Sequence, residues 1–110
     1  MKINVNNIGG NVVKENDTYT VVDNTDLNGL VLSKTILHPG KSTTGHAHKG
    51  QEEVYHFIYG QGSIEVGPLF EDVKGGDIVL IPDGAFHRVH NTNRFEDLTF
   101  VCVFDGKRSH

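Results

Sequence analysis

Two histidines separated by a single residue, His46 and His48, are the residues most suggestive of chemistry in this sequence. Alternate side chains of a β-strand point to the same face, so a strand would present both imidazoles to one ion. Glutamates follow at Glu52 and Glu53, and a third histidine stands at His87. Three neutral nitrogens and one carboxylate oxygen suit a first-row divalent metal and leave coordination positions open. A His-x-His pair by itself more often lies on an exposed strand face than in a metal site.

The two adjacent glutamates are distinguished by the residues that would share their face of the strand. If Glu53 points inward, Tyr55, Phe57 and Tyr59 point inward with it. If Glu52 points inward, those three aromatic rings turn outward instead. Large aromatic side chains gain most from burial, so Glu53 is the predicted ligand, and Tyr55 and Phe57 are predicted to line a substrate site beside it. A β-bulge would shift this register by one residue.

The elements that would position these residues are short β-prone runs separated by Gly, Pro, Asn and Asp. The sequence predicts about eight strands, over residues 19–22, 30–37, 54–59, 63–66, 69–73, 77–81, 87–91 and 98–104. The stretch through Asn16 is compatible with one further edge strand. Many short strands at even spacing are typical of a sandwich or barrel, and no long window has helical periodicity. The fold is therefore predicted to be all-β.

Two segments, residues 40–60 and 76–91, resemble the two motifs of the cupin superfamily. The first motif is a glycine, five residues, His-x-His, three or four residues, glutamate, six residues and glycine. It is matched here by Gly40, His46, His48, Glu53 and Gly60. The second motif, G-x5-P-x-G-x2-H-x3-N, is matched by Gly76, Pro82, Gly84, His87 and Asn91. Every fixed position of both motifs is present at the expected spacing.

The resemblance implies a small single-domain cupin over residues 1–110, a jelly-roll β-barrel of antiparallel strands with a metal inside one end. Its ligands would be His46, His48, Glu53 and His87, which is the same glutamate that the strand parity selects. The cofactor would be one divalent transition metal ion, manganese, iron, zinc or nickel. Asn91 is predicted to tie down backbone at the strand end. Residues 81–89 also resemble small cupins described as mannose-6-phosphate-isomerase-like.

Cupins are functionally broad, so the fold does not name a reaction. The first hypothesis is a metal-dependent enzyme of isomerase or lyase type, acting on a small sugar, sugar phosphate or oxygenated acid. The ion would act there as a Lewis acid. One alternative is a non-haem Fe(II) dioxygenase, and another is a non-enzymatic sugar or metabolite binding protein. No residue stands out as a general acid or base.

Composition narrows the class of partner. The net charge is −4 with both signs mixed along the chain, and the basic pair Lys107–Arg108 is too short to predict nucleic-acid binding. No run of 18 apolar residues predicts a membrane span, and the first residues lack the apolar core of a signal peptide. The sequence thus predicts a cytoplasmic protein without membrane or nucleic-acid partners. Cys102 is the only cysteine and is predicted to be a buried structural thiol.

The outward-facing residues of the predicted strands suggest a homodimer. Val54 and Ile58 face outward if Glu53 faces inward, and residues 78–81 are apolar on both faces. Exposed apolar faces on small domains often mark contacts between copies. By the same parity, His56 and His90 are predicted to be surface or interface histidines rather than catalytic ones.

Overall fold

The structure, a computed structural model, describes residues 1–106, and Lys107–Arg108 lies outside the described residues. Within this range every regular element is a β-strand, and no helix is long and apolar enough to cross a membrane. The nine strands are β1 (Asn11–Glu15), β2 (Tyr19–Asn24), β3 (Leu30–Leu37), β4 (Glu53–Tyr59), β5 (Gln61–Val66), β6 (Leu69–Lys74), β7 (Ile78–Ile81), β8 (His87–His90) and β9 (Leu98–Asp105).

The strands form two antiparallel sheets that face each other. The larger sheet has the order β1-β2-β3-β9-β4-β7 and the smaller one the order β6-β5-β8. This arrangement confirms the predicted all-β jelly-roll. Each of the eight predicted strands is present with small shifts at its ends, and β1 supplies the additional edge strand that the N-terminal stretch allowed.

The core lies between the two sheets, and alternate residues of β3, β4, β8 and β9 supply most of it. In β9, Leu98, Phe100, Cys102 and Phe104 are buried while the residues between them face outward. The side chains most completely buried are Phe57, Leu37, Ile64, Leu98 and Val89. Burying an aliphatic or aromatic side chain of this kind stabilises a fold by about 1.5–3 kcal/mol. The core therefore rests on one face of each sheet, and the predicted burial of Cys102 is confirmed.

The inward face of β4 follows the predicted parity only as far as Phe57. Glu53, Tyr55 and Phe57 are buried, as predicted, whereas Glu52 is exposed. The prediction that Tyr59 also points inward is wrong, because its side chain is 55% exposed. The pairing of β4 with β9 shifts register between Phe57 and Tyr59, which is the effect of a β-bulge.

Asn91 ties three pieces of backbone together just beyond the end of β8, as predicted. Its side-chain nitrogen donates to the carbonyl of Leu37 at 3.0 Å and to that of Glu96 at 2.8 Å. Its side-chain oxygen accepts from the backbone nitrogen of Asn93 at 3.0 Å. Because Asn91 is almost completely buried, water cannot replace these bonds in the native fold.

We expect Asn91→Ala to lower the free energy of unfolding by about 1–3 kcal/mol, since the buried carbonyl of Leu37 loses its donor. Urea denaturation followed by circular dichroism measures this change. Thr92→Ala is the matched control, because the neighbouring Thr92 is exposed and its substitution should cost less than about 0.5 kcal/mol. Equal effects of the two substitutions would contradict the role assigned to Asn91.

Candidate metal centre

Three parts of the chain bring the predicted ligands together at one end of the barrel. Glu53 is the first residue of β4 and His87 is the first residue of β8. His46 pairs with His87 as an isolated antiparallel bridge, in which the His46 nitrogen donates to the His87 carbonyl at 3.2 Å and the His87 nitrogen donates to the His46 carbonyl at 2.9 Å. His48 follows on the same segment.

The segment that carries His46 and His48 is not a regular strand, and it lies outside the eight strands that the sequence predicts. It contacts β8 at two bridges, Ser42 with His90 and His46 with His87. Between these bridges the segment advances four residues while β8 advances three, so one residue is extra and the pairing is bulged. The bulge places Ser42 and His46 against opposite faces of β8, and this directs His46 to the interior.

Gly45 within this bulge allows a close approach by Phe86. A Cβ atom at position 45 would overlap the Cζ atom of the Phe86 ring, so any larger residue would displace that ring. A second tie holds the loop between His48 and Glu53, where the backbone nitrogen of Gly50 donates to Asp83 Oδ1 at 2.6 Å. Neither contact can be recognised from the pattern of residues, because each depends on the approach of two turns.

The side chains of the four predicted ligands converge. The ring of His46 lies 4.9 Å from that of His48 and 4.7 Å from that of His87, measured between centroids. Nε2 of His87 lies 2.9 Å from Oε2 of Glu53, and both of these side chains are 3% exposed. His46 and His48 are only half-buried, so solvent reaches the cluster from their side.

In His46 and His87, a backbone carbonyl determines which of the two ring nitrogens carries the hydrogen. Nδ1 of His46 lies 3.0 Å from the Thr44 carbonyl, and Nδ1 of His87 lies 3.1 Å from the Ala85 carbonyl. Because a carbonyl oxygen only accepts, each Nδ1 must donate, and in the neutral ring the lone pair then resides on Nε2. Histidine ligands of metals are oriented in the same manner.

The contact between His87 and Glu53 is an electrostatic conflict that a cation would relieve. Nε2 of His87 is buried and has no hydrogen-bond partner among residues 1–106, although the Glu53 oxygen is close, because the contact lacks hydrogen-bonding geometry. In the neutral ring two lone pairs would face each other between two side chains that are both buried. A proton or a metal ion between them converts this repulsion into attraction.

The donor set and its burial fit a divalent metal, but the side chains are not arranged around a ready-made site. As placed, no three histidine, cysteine, aspartate or glutamate side chains in residues 1–106 form a group that could hold a metal ion. Glu53 and His87 contact each other, whereas two ligands would both face the ion. Binding would therefore require rotation of these side chains about a backbone that already brings them together.

Burial and neighbouring charge both act on His46. Its burial is the largest cause that lowers its pKa below the ordinary value, and the nearby His87 and His48 lower it further. The Thr44 carbonyl and Glu53 act in the opposite direction, but they do not outweigh burial. A metal binds only the neutral imidazole, so this direction keeps His46 available as a ligand to a lower pH than an exposed histidine.

The two predicted lining residues lie at different depths. The ring of Tyr55 meets that of His87 edge-on at 5.7 Å and stacks on Phe100 at 5.3 Å. Phe57 contacts Tyr55 and Phe100 but is fully buried, so it belongs to the core behind the site. Of the two predicted lining residues, Tyr55 is therefore the one that contacts the cluster.

The fold and the sequence together define the family. Residues 33–104 match the family described as the cupin domain, and this chain belongs to that family. A curated relative, the oxalate-binding protein of Thermotoga maritima, is 33% identical over 67 residues, which cover 61% of this chain and 54% of the relative. The chain thus spans only about half to two thirds of the length of the curated relatives it matches.

Solved structures share the fold over nearly the whole chain. A conserved protein with a double-stranded β-helix domain from Klebsiella pneumoniae superposes with a TM-score of 0.81 at 22% identity, covering 99% of this chain and 92% of its own. A predicted oxalate decarboxylase from Thermotoga maritima superposes with a TM-score of 0.78 at 21% identity, covering 96% of this chain and 98% of its own. At these identities the likeness establishes the jelly-roll fold.

We expect Glu53→Ala to weaken Zn²⁺ binding at least ten- to hundredfold. Loss of a residue that only supports a metal ligand already weakens binding by that factor. Glu52→Ala is the matched control, because Glu52 is exposed on the other face of the same chain segment. Isothermal titration calorimetry on both variants measures the difference. A larger loss in Glu52→Ala would show that the ligand is the other glutamate.

Proposed function

We propose that this cupin binds one divalent transition metal ion through His46, His48, Glu53 and His87, and that the ion takes a small oxygenated acid of the oxalate class. The observation that carries the proposal is the buried His87 nitrogen beside the Glu53 carboxylate, a pair whose lone pairs require a cation or a proton between them. The complete set of cupin motif residues at these positions supports the same ligands.

The choice of ligand class rests on chemistry and on one relative. A small dicarboxylate can chelate an ion that has open positions through two oxygens. Tyr55 meets His87 and stacks on Phe100, so aromatic rings close the inner side of the site and a ligand would approach from the side of His46 and His48. The relative at 33% identity is named for binding oxalate, which is an acid of this kind. Sugars and sugar phosphates remain predictions from the sequence alone.

The residues around the bound ion would orient the histidine rings, offset the charge of the ion and exclude water from the inner side of the site. The bound ion supplies Lewis acidity toward a ligand oxygen. The carbonyls of Thr44 and Ala85 hold the rings of His46 and His87 with Nε2 toward the site. Glu53 contributes negative charge that offsets the ion, and the aromatic ring of Tyr55 keeps water from the inner side. We extend the proposal to catalysis of lyase or isomerase type, in which the polarised ligand breaks or rearranges a bond.

The first test is metal content, measured by plasma mass spectrometry on protein purified without an affinity tag. We expect about one equivalent of a transition metal in the unaltered protein and a sharp loss in His48→Ala, because one of four ligands is removed. His56→Ala is the control, since His56 is exposed on the outward face of β4. A full complement of metal in His48→Ala would contradict the assigned site.

The second test separates the kinds of function. Metal-loaded protein is mixed with oxalate, and binding, products and oxygen uptake are followed by calorimetry, chromatography and an oxygen electrode. Formation of formate and carbon dioxide would establish a lyase, and oxalate that binds and returns unchanged would establish a binding protein. Oxygen uptake only by the Fe(II) form would establish a dioxygenase. Absence of oxalate binding would contradict the proposed ligand class.

We also propose that the outer face of the larger sheet pairs with a second copy of the chain. Val54, Ile78, Leu80 and Val103 are all exposed there, and the β4 pairings with β7 and β9 set Val54 beside both Leu80 and Val103. These side chains form a continuous apolar patch at the β7 edge of the sheet. A cytoplasmic location stays a prediction from the sequence.

We expect light scattering to give about twice the 12.1 kDa chain mass for the unaltered protein. Leu80→Lys should shift the mass to that of one chain, because burying a lysine in an apolar contact is costly. Leu69→Lys is the matched control, since Leu69 is 62% exposed against 69% for Leu80 but lies on the other sheet. A monomeric mass of the unaltered protein would contradict the dimer.

A further inference from the structure

A second group of reactive side chains lies on the outer face of the smaller sheet, away from the metal ligands. Oγ of Ser42 is 2.6 Å from Nδ1 of His90, and Nε2 of His90 is 2.6 Å from Oε1 of Glu65. His90 is the last residue of β8, Glu65 belongs to the adjacent β5, and Ser42 is bridged to His90 across the bulged segment. The three residues thus form one line across three chain segments.

The order of these contacts determines where the protons lie. An ionised carboxylate only accepts hydrogen bonds, so Nε2 of His90 donates to Glu65. In the neutral ring Nδ1 then carries the lone pair and accepts the hydroxyl proton of Ser42. A hydroxyl, a base within hydrogen-bonding distance and a third group that orients the base are the parts of an activated nucleophile. Either ring nitrogen can serve as the base when the other is held protonated.

The surroundings of this group suit a small acyl compound. The side chains of His90 and Glu65 are 21% and 30% exposed, so solvent and small molecules reach them. The ring of Phe70 stacks on His90 with centroids 5.8 Å apart and is itself largely exposed, which provides an apolar platform. The Arg88 side chain lies on the same face and donates through Nε to the Thr43 carbonyl at 2.8 Å, so a positive charge stands close to Ser42.

We propose that Ser42, His90 and Glu65 form a second reactive site, in which Ser42 accepts acyl groups from small activated esters. The Ser42 oxygen forms a bond to the ester carbonyl carbon as its proton passes to Nδ1 of His90. The carbon–oxygen bond of the leaving group then breaks, and the departing alcohol takes that proton. Water attacks the acyl-serine by the same route, which releases the acid and restores the hydroxyl.

The reactive site is independent of the proposed metal site. Because the bulge directs Ser42 and His46 to opposite faces of β8, the two groups are separated by the sheet itself. Loss of metal binding would therefore leave this proposal standing, and loss of serine reactivity would leave the metal proposal standing.

The test is covalent labelling of the whole protein with a fluorophosphonate, which forms an oxygen–phosphorus bond with an activated serine and releases fluoride and a proton. Trypsin cuts after Lys41 and Lys49 and releases residues 42–49, in which mass spectrometry can distinguish Ser42 from Thr43 and Thr44. We expect the label on Ser42. Its absence from Ser42 in the unaltered protein would overturn the proposal, and this outcome does not depend on any variant being able to fold.

Variants test the assigned roles. We expect His90→Gln to slow labelling on the order of a hundredfold or more, which is the usual contribution of a general base. His56→Gln is the control, because it removes another exposed histidine far from Ser42. Glu65 is a positioning residue, so Glu65→Ala should slow labelling, and Glu65→Gln should restore part of the rate because its amide oxygen can still accept the hydrogen bond from Nε2 of His90. Labelling that is unchanged in His90→Gln would overturn the proposal.

Discussion

Two backbone hydrogen bonds between His46 and His87 set the distance between the halves of the candidate metal centre. They join a segment of irregular structure to a regular strand, so the ligands of the first motif are placed by the sheet rather than by their own local conformation. Thr44 and Ala85, two residues before each histidine, then orient the imidazoles through their carbonyls. The same short pairing therefore provides both the approach of the two rings and their orientation.

The barrel around this pairing has to satisfy two demands that conflict. A stable jelly-roll needs an apolar interior, yet the site places Glu53 and His87 inside it. The conflict is confined to the end of the core, because the interior residues next to Glu53 along β4 are aromatic and stack against β9. The polar side chains of the candidate site thus occupy one layer, and the layers behind them supply the burial that holds the two sheets together.

Sequence patterns predicted the parts of this structure that follow from regular alternation. Glu53 could be chosen over Glu52 because Tyr55 and Phe57 share its face, and the structure buries all three. Tyr59 was placed wrongly because the register shift after Phe57 leaves no mark in residue type. The group of Ser42, His90 and Glu65 could not be predicted either, because it depends on the bulge between Ser42 and His46. Alternation can be recognised within the sequence of one strand, whereas the position of a bulge depends on the strand with which it pairs.

The extra residue between Ser42 and His46 also has an evolutionary consequence. Deleting any one of residues 43–45 would leave three steps on each strand, a regular ladder in which Ser42 still shares a face with His90 and His46 with His87. The two bridges, and not the number of residues between them, therefore decide which face each side chain occupies. Descendants of this protein could change the length of this stretch by one residue and keep His46 on the face of the candidate site.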